Sequence, residues 1–430
     1  MYDLDPPLLL SRSLIESILN GTTCPPTSTR CGWVSQGNGR GTLDIIFSCG
    51  SALFICLWLM LHLNVPALED GWWQVCWRKA RWLALGLLTP EVLLLLAVGQ
   101  WTSAKRSFRD MRALGHEQWS MTHAFYADSG GFVVKLLDNV SFPVTAKQLC
   151  YLIEEGYLKE PPQISKEEID DKSKADVFAK TIAALQLGWL VLQLTARAIQ
   201  HLPITPLELS TVAVVACTAS TYFFWLRKPP DVELPTMLEI DITTADTLLR
   251  AGDAVRTPWV HTPLDFVDGE AHIILITFVS KERTLPSSER RPMTRIHNDR
   301  NPRFDSFYQR ALLAFVVATF STIHFAEWNF SFPSRAEQII WRTCCIVAEV
   351  SLGLQGVHET MQYLFDPEYQ QRPYLQRRKT VWPENLLFLI LSGLYFLARV
   401  VLLGSVILSM RSLPNAAFAT VNWTAFVPHF

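Results

Sequence analysis

The sequence predicts an all-α fold, a polytopic membrane helix bundle of about seven transmembrane helices with two polar, partly helical loop regions. Three observations predict it. The apolar residues gather in runs of about 20, the length that at 1.5 Å rise spans a hydrocarbon core of roughly 30 Å. The chain is 49% hydrophobic and only 18% charged over 430 residues, with a positive mean hydropathy, an unusual balance for a water-soluble domain. Its 15 Trp and 24 Phe suit a protein whose surface meets lipid.

Residues 1–43 form a polar N-terminal segment. Asp3 and Asp5 stand where a secretory signal carries Lys or Arg, so no cleavable signal peptide is expected. Cys24 and Cys31 bracket a Pro/Ser/Thr loop and are placed to form a disulfide if that segment is luminal. Spans one and two are read at 44–64 and 82–101. The second carries Glu91 at its middle, and a carboxyl at mid-depth costs on the order of 2.5–3.5 kcal/mol on insertion scales, so it needs a partner, a cavity or a proton.

The polar segment 102–182 contains two capping boxes, Thr145 with Gln148 and Ser165 with Glu168. With Gly156 as a stop and Pro161-Pro162 as a break, they predict a short helical hairpin on the membrane surface. Spans three and four follow at 183–200 and 207–226. A second polar loop, 227–309, opens on Arg227-Lys228-Pro-Pro and closes on a basic stretch holding Lys281, Arg283, Arg290, Arg291, Arg295, Arg300 and Arg303, read as a solvated face against anionic lipid. The apolar stretch His272–Val279 is too short to span. Spans five to seven are read at 310–326, 338–356 and 385–409, before a C-terminal tail at 410–430.

Sidedness is contested within the sequence. Lys105, Arg106, Arg109, Arg112, Arg227, Lys228 and Arg377-Arg378-Lys379 share one side of a seven-span chain, which the positive-inside rule makes cytoplasmic, leaving the N-terminus cytoplasmic and the C-terminus luminal. Arg78, Lys79 and Arg81 then fall on the wrong side. Of the four glycosylation sequons, Asn329 and Asn422 suit that topology, while Asn20 and Asn139 suit its inverse.

Four ionisable side chains lie well inside proposed spans, away from their ends: Glu91, Arg197, Glu349 and Arg399. They are the candidate catalytic set, a buried acid with its partners. Their bland reading is mutual pairing that fixes helix register. Their functional reading is a desolvated acid that exchanges a proton with a substrate or across the membrane. Gln186, Gln193 and Gln200 recur every seven residues beside Arg197 and suggest a polar stripe. Trp119, His116, His123, Tyr126 and Asp128 read as an interfacial belt in preference to a metal site, because two His seven apart lack the spacing of membrane di-iron enzymes.

The chain lacks the Gly-rich loops of nucleotide binding, the GxSxG elbow and the acidic motifs that hold magnesium pyrophosphate, so no cofactor and no metal is expected. A net charge of −2 argues against nucleic acid. The expected partners are membrane lipid and an apolar small molecule.

Several segments together resemble a large family of fungal polytopic membrane proteins without an assigned biochemical activity: Asp44–Cys49 leading to Trp58 and His62–Pro66, Pro90-Glu91, Trp119–Phe132, Leu207–Val212 and Trp423–His429. The similarity covers nearly the whole chain. It implies a multi-pass fungal membrane protein, and members of such expanded families are recruited to specialised-metabolite pathways. The leading expectation is a role in biosynthesis of an apolar metabolite, as a cofactor-independent cyclase or isomerase using a buried acid. The alternatives are a proton-coupled transporter or channel-like protein, and a structural membrane subunit.

Overall fold

The computed structural model describes residues 30–35, 39–172, 177–244, 262–268, 272–273, 292–298, 300–301, 307–330, 332–365 and 382–423. Cys24, Asn20, most of His272–Val279, Lys281, Arg283, Arg290, Arg291, Arg303 and Arg377–Lys379 lie outside them.

Helices dominate. α1 (Thr42–Met60) is capped where the Gly41 N–H donates to Asp44 Oδ2 at 2.8 Å. The run expected to span at 82–101 is not one helix. α2 (Trp72–Leu88) ends at Thr89, α3 (Pro90–Ala113) begins at the next residue, and the two are bent by 111°. The cause is local: Pro90 has no N–H to give to the preceding turn and forces the residue before it out of helix geometry, so Thr89 sits at φ −139°, ψ 66° and Pro90 takes a first-turn position in a new helix. Glu91 therefore occupies the first turn of α3, not the middle of a continuous span.

The segment after α3 is not only helical. α4 (Met121–Asp128) is followed by a hairpin of β2 (Phe132–Leu136) and β3 (Ser141–Val144), turning through Asn139 at φ +59°. Next come α5 (Ala146–Glu154) and α6 (Lys166–Lys172). Both capping boxes form: the Gln148 N–H donates to Thr145 Oγ1 at 3.2 Å and the Glu168 N–H to Ser165 Oγ at 3.1 Å. α7 (Val177–Ile199) and α8 (Pro206–Trp225) lead to β4 (Thr236–Ile240), which lies parallel to β2 in register Phe132↔Thr236, giving a sheet of order β3-β2-β4.

The two polar loops are thus halves of one unit. Its core joins Phe132, Val134, Phe142, Val144, Leu149, Leu152, Ile169, Ile240 and Leu264, and α9 (Asp265–Asp268) seals one side. Trp119, His123 and Tyr126 are buried in this core and do not form an interfacial belt. Tyr126 explains why Gly131 must be glycine, since a Cβ there would lie 2.5 Å from its ring. Exposed tryptophans stand elsewhere, most fully at Trp72, Trp73 and Trp77 along the first turns of α2, and also at Trp58, Trp189 and Trp423.

Beyond this unit, β5 (His272–Ile273) pairs with β6 (Arg300–Asn301), and three helices follow: α10 (Phe307–Phe325), α11 (Arg335–Phe365) and α12 (Trp382–Ser409). The helix pairs α11 with α12, α1 with α8, and α3 with α8 carry the main interhelical packing. Among the described residues, four helical stretches are long and apolar enough to cross a membrane: Thr42–Met60, Pro206–Trp225, Arg335–His358 and Leu386–Ser409. The bent pair makes a fifth candidate. Of the other expected spans, α10 is a 19-residue helix, and α7 has an apolar part, Ala184–Ile199, shorter than a full crossing.

Helix ends sort onto two faces. On one, β1 (Arg30–Cys31) pairs antiparallel with β7 (Leu413–Pro414), tying the start of α1 to the end of α12. Arg30 Nη2 donates to Ser412 O at 2.5 Å. Cys31 is disulfide-bonded, while Cys49, Cys56, Cys76, Cys150, Cys217, Cys344 and Cys345 are free. Arg40 pairs with Glu208, which caps Thr205 at the start of α8. Gln200 and Asn422 exchange two hydrogen bonds, and Arg411 pairs with Glu337 at the start of α11. Arg342 reaches back to Trp328 O, just beyond α10.

The opposite face carries the sheet unit together with the ends of α1, α3 and α8. There the Val65 N–H donates to Ser129 O at 2.9 Å, and Lys79 from α2 pairs with Asp231, six residues past α8. Both outer ends of the α2–α3 pair lie on this face, since α2 starts beside Asp70, which binds Arg78, and α3 ends against α4 and α5. The bend at Thr89 is the pair's deep end.

Candidate functional site

The deep end of the bent pair meets α12. Arg399 Nε donates to Leu88 O at 2.8 Å, one of the last carbonyls of α2. Arg399 Nη1 lies 3.2 Å from His324 Nε2, and the guanidinium sits 5.1 Å from the centre of the Phe320 ring. Because Arg can only donate, His324 Nε2 accepts, and Nδ1 carries the proton and faces Phe320 O at 3.3 Å. Glu91 is 3% exposed, within the electrostatic reach of Arg399, and neither carboxyl oxygen has a hydrogen-bond partner. Against Arg399 and His324 lies a cavity of about 10 Å³, completed by Cys345, Ala348, Tyr395 and Leu402. The buried Tyr395 hydroxyl has no partner either.

Spacing explains part of this arrangement. Tyr395 and Arg399 are four apart on α12 and share a face. Glu91 enters a first turn, where unpaired backbone N–H groups and the positive end of the helix dipole favour an acid.

The four charges proposed to cancel do not. Arg197, fully buried, gives its guanidinium to backbone: Nε and Nη2 to Pro203 O, Nη1 to Ala419 O at 2.8 Å and Nη2 to Ala417 O at 2.9 Å. Its five N–H donors let the planar fork reach three carbonyls, in a loop and a tail, at once. Glu349 is half-buried on α11, its Oε2 without a partner. Only Glu91 and Arg399 come together. The glutamine stripe dissolves as well: Gln186 donates to Ser51 Oγ at 2.6 Å, tying α7 to α1, and Gln200 is spent on Asn422.

A second buried cluster sits where the helices meet the sheet unit. Lys228, 3% exposed, donates to Asn64 Oδ1 at 3.0 Å and Gln100 Oε1 at 2.9 Å, with the Trp225 ring 4.8 Å away. Trp225 Nε1 donates to the same Gln100 oxygen at 3.0 Å. A cavity of about 10 Å³ adjoins, lined in part by His62, Trp82 and Asn298. Burial pulls the Lys228 amine down to about 7, against the attraction of Asp128. At the other face, burial pushes the Glu327 carboxyl up, offset in part by the Ser210 hydroxyl at 3.2 Å.

His123 is held within the sheet unit by hydrogen bonds. His123 Nδ1 closes a cap with Ser120, and Nε2 donates to Ile164 O at 2.8 Å. Sequence reasoning missed His324, Tyr395, Lys228 and Glu327 as buried groups. The four-residue step from Tyr395 to Arg399 was the one available signal. Lys228 read as an ordinary charge at a helix end.

The architecture defines a class: a mainly helical chain with, among the described residues, four helices long and apolar enough to cross a membrane, a fifth candidate in a bent pair, and a small sheet unit at one end. Within that class the chain belongs to DUF8562, a family of unknown function whose model matches residues 13–299 and 301–430. Neither the curated proteins nor the solved structures contain a match.

Proposed function

We propose that the protein is a multi-pass membrane protein, fungal as the family resemblance implies, in which Glu91 exchanges a proton as part of proton-coupled transport. In this reading α1, α7, α8, α10, α11 and α12 cross the bilayer, and α2–α3 is a re-entrant pair that enters and leaves on the side of the sheet unit. The β1–β7 pairing supports an even number of crossings between residues 31 and 413, since it holds those positions on one side. The Cys31 disulfide favours an oxidising compartment for that side. The sheet unit then faces the cytosol, together with Lys105, Arg106, Arg109 and Arg112. Arg78, Lys79 and Arg81 join them, because the re-entrant pair starts there.

The observation that carries the functional reading is the Glu91 carboxyl, buried without a side-chain donor at the tip of a helix break beside Arg399. Non-helical backbone at membrane depth is tolerated where it lines a protein-enclosed or watered path, and an intramembrane acid there is a proton site by default. The cavities beside Arg399 and Lys228 each hold about one water. Such spaces suit protons and small solutes better than the folded hydrocarbon an acid-driven cyclase must enclose, so transport ranks ahead of metabolite cyclisation.

The test is proton flux into proteoliposomes under an imposed membrane potential, read with an entrapped pH dye. Wild type is expected to exceed empty liposomes, and Glu91→Gln to lose at least tenfold while eluting as the same folded species. Wild-type flux in Glu91→Gln, or no flux above empty liposomes, sinks the reading.

A further inference from the structure

We infer that the cavity between α10, α11 and α12 is a binding site for a small monovalent anion of halide type, held by Arg399 and the Tyr395 hydroxyl. As the co-substrate of proton exchange, this anion rests on the reading of Glu91 given above; its binding stands apart from that reading.

The first argument is charge. Arg399 is 8% exposed and makes no ion-pair hydrogen bond; its recorded partners are a carbonyl, a neutral imidazole and an aromatic face. These satisfy N–H groups but bring no full negative charge. Among the described residues Glu91 is the carboxyl that acts directly on Arg399, and it makes no hydrogen bond to it; buried Glu327, which accepts from Ser210, acts on the cavity wall at Cys345. When Glu91 carries a proton, the arginine's charge is left without a counter-ion in an apolar interior, a state several kcal/mol uphill. A bound anion restores neutrality, and ionised Glu91 competes with it. Proton and anion are thereby coupled through one arginine.

The second argument is donor geometry. Tyr395 is 6% exposed, lines the cavity with Arg399, and its hydroxyl has no acceptor. A buried O–H left unsatisfied costs about 1–3 kcal/mol, and a ligand that accepts removes the cost. Tyr395 Oη–H is a donor, and so is any Arg399 N–H not held by Leu88 or His324, so the ligand must be an acceptor. The rest of the wall, Cys345, Ala348 and Leu402, offers nothing to a cation. The space is that of about one water, which a halide fills and sulfate or an organic acid does not.

The test uses the full-length protein in detergent at pH 7, with thermal unfolding followed by tryptophan fluorescence while sodium bromide replaces sodium gluconate at constant ionic strength. A saturable rise in Tm with bromide, absent with gluconate or sulfate, is expected. Tyr395→Phe should weaken the bromide midpoint about tenfold, the effect of one lost hydrogen bond of about 1.4 kcal/mol to a charged group. Glu91→Gln should bind at least as tightly as wild type, its competing charge being gone. Equal shifts with gluconate, or a Tyr395→Phe midpoint equal to wild type, overturn the site. Halide binding without proton flux in liposomes leaves the site standing and sinks the Glu91 reading; flux without halide binding does the reverse.

Discussion

Arg197 offers the sharpest test of how the face carrying β1 and β7 is held. Its guanidinium joins the end of α7, the α7–α8 loop at Pro203 and the C-terminal segment at Ala417 and Ala419 through four hydrogen bonds to three carbonyls. Replacing it by Met keeps much of the volume and removes every donor. Each buried carbonyl left without a partner costs about 1–3 kcal/mol. Two effects reduce the sum: Ala417 O keeps a bond from Arg40 Nη1 at 3.1 Å, and the desolvation penalty of the charge disappears with it. The net expectation is a loss of about 3 kcal/mol. Arg197→Lys should lose about half of that, because one ammonium cannot span three acceptors. At roughly 2 °C per kcal/mol for a chain of this size, Arg197→Met should unfold about 6 °C below wild type by tryptophan fluorescence in detergent. Arg40→Met combined with it should lose more than the sum of the two singles, since together they strip Ala417 O bare. If Arg197→Met melts within a degree of wild type, these contacts do not bear on stability and the account of this face is wrong.

The other expectations concern charge and sidedness. Lys228 is ionised in the unfolded chain up to about pH 10.5 but in the folded protein only below about 7, so the folded state binds fewer protons between those values and stability rises with pH across that window. Between pH 6 and 9 the gain should be about 2–3 kcal/mol at 1.36 kcal/mol per unit, and a Tm-against-pH series of Lys228→Met should lack it. Sequon mapping tests the topology: Asn422 and Asn329 are exposed on the face of the chain ends and should accept glycan, whereas Asn139, in the β2–β3 turn, should not. Glycan on Asn139 with none on Asn422 would invert the proposed orientation.

The contested sidedness of the sequence shows what was legible and what was not. Apolar runs located α1, α8, α11 and α12 well, because composition alone decides whether a helix prefers lipid. Pro90 was visible in the run 82–101, yet the run's apolarity masked the break. Whether a proline kinks or ends a helix depends on what receives the freed carbonyls, and here Arg399, over 300 residues away, takes Leu88 O. The β2–β4 pairing was equally hidden: Phe132–Leu136 is five residues long, and its parallel partner arrives a hundred residues later. The capping boxes at Thr145 and Ser165 were readable because their partners lie three residues away. Among the charged groups, burial could be read and partnership could not. Arg197 looked like a mate for an acid, but its acceptors are backbone atoms of a tail that no side-chain pattern reveals.

The β1–β7 pairing has a consequence for how the molecule is made. Arg30 and its acceptor on Ser412 are separated by 382 residues. At about 5–20 residues per second the N-terminal strand waits roughly 20–75 s after its own synthesis before its partner exists. Until then the strand edge at Arg30–Cys31 stands open; Arg40 gains Glu208 only after a further 168 residues, and Arg197, once made, lacks two of its three acceptors. This face is closed late, by the strand at Leu413–Pro414, and a chain truncated before Leu413 would keep its helices but leave that face unfastened.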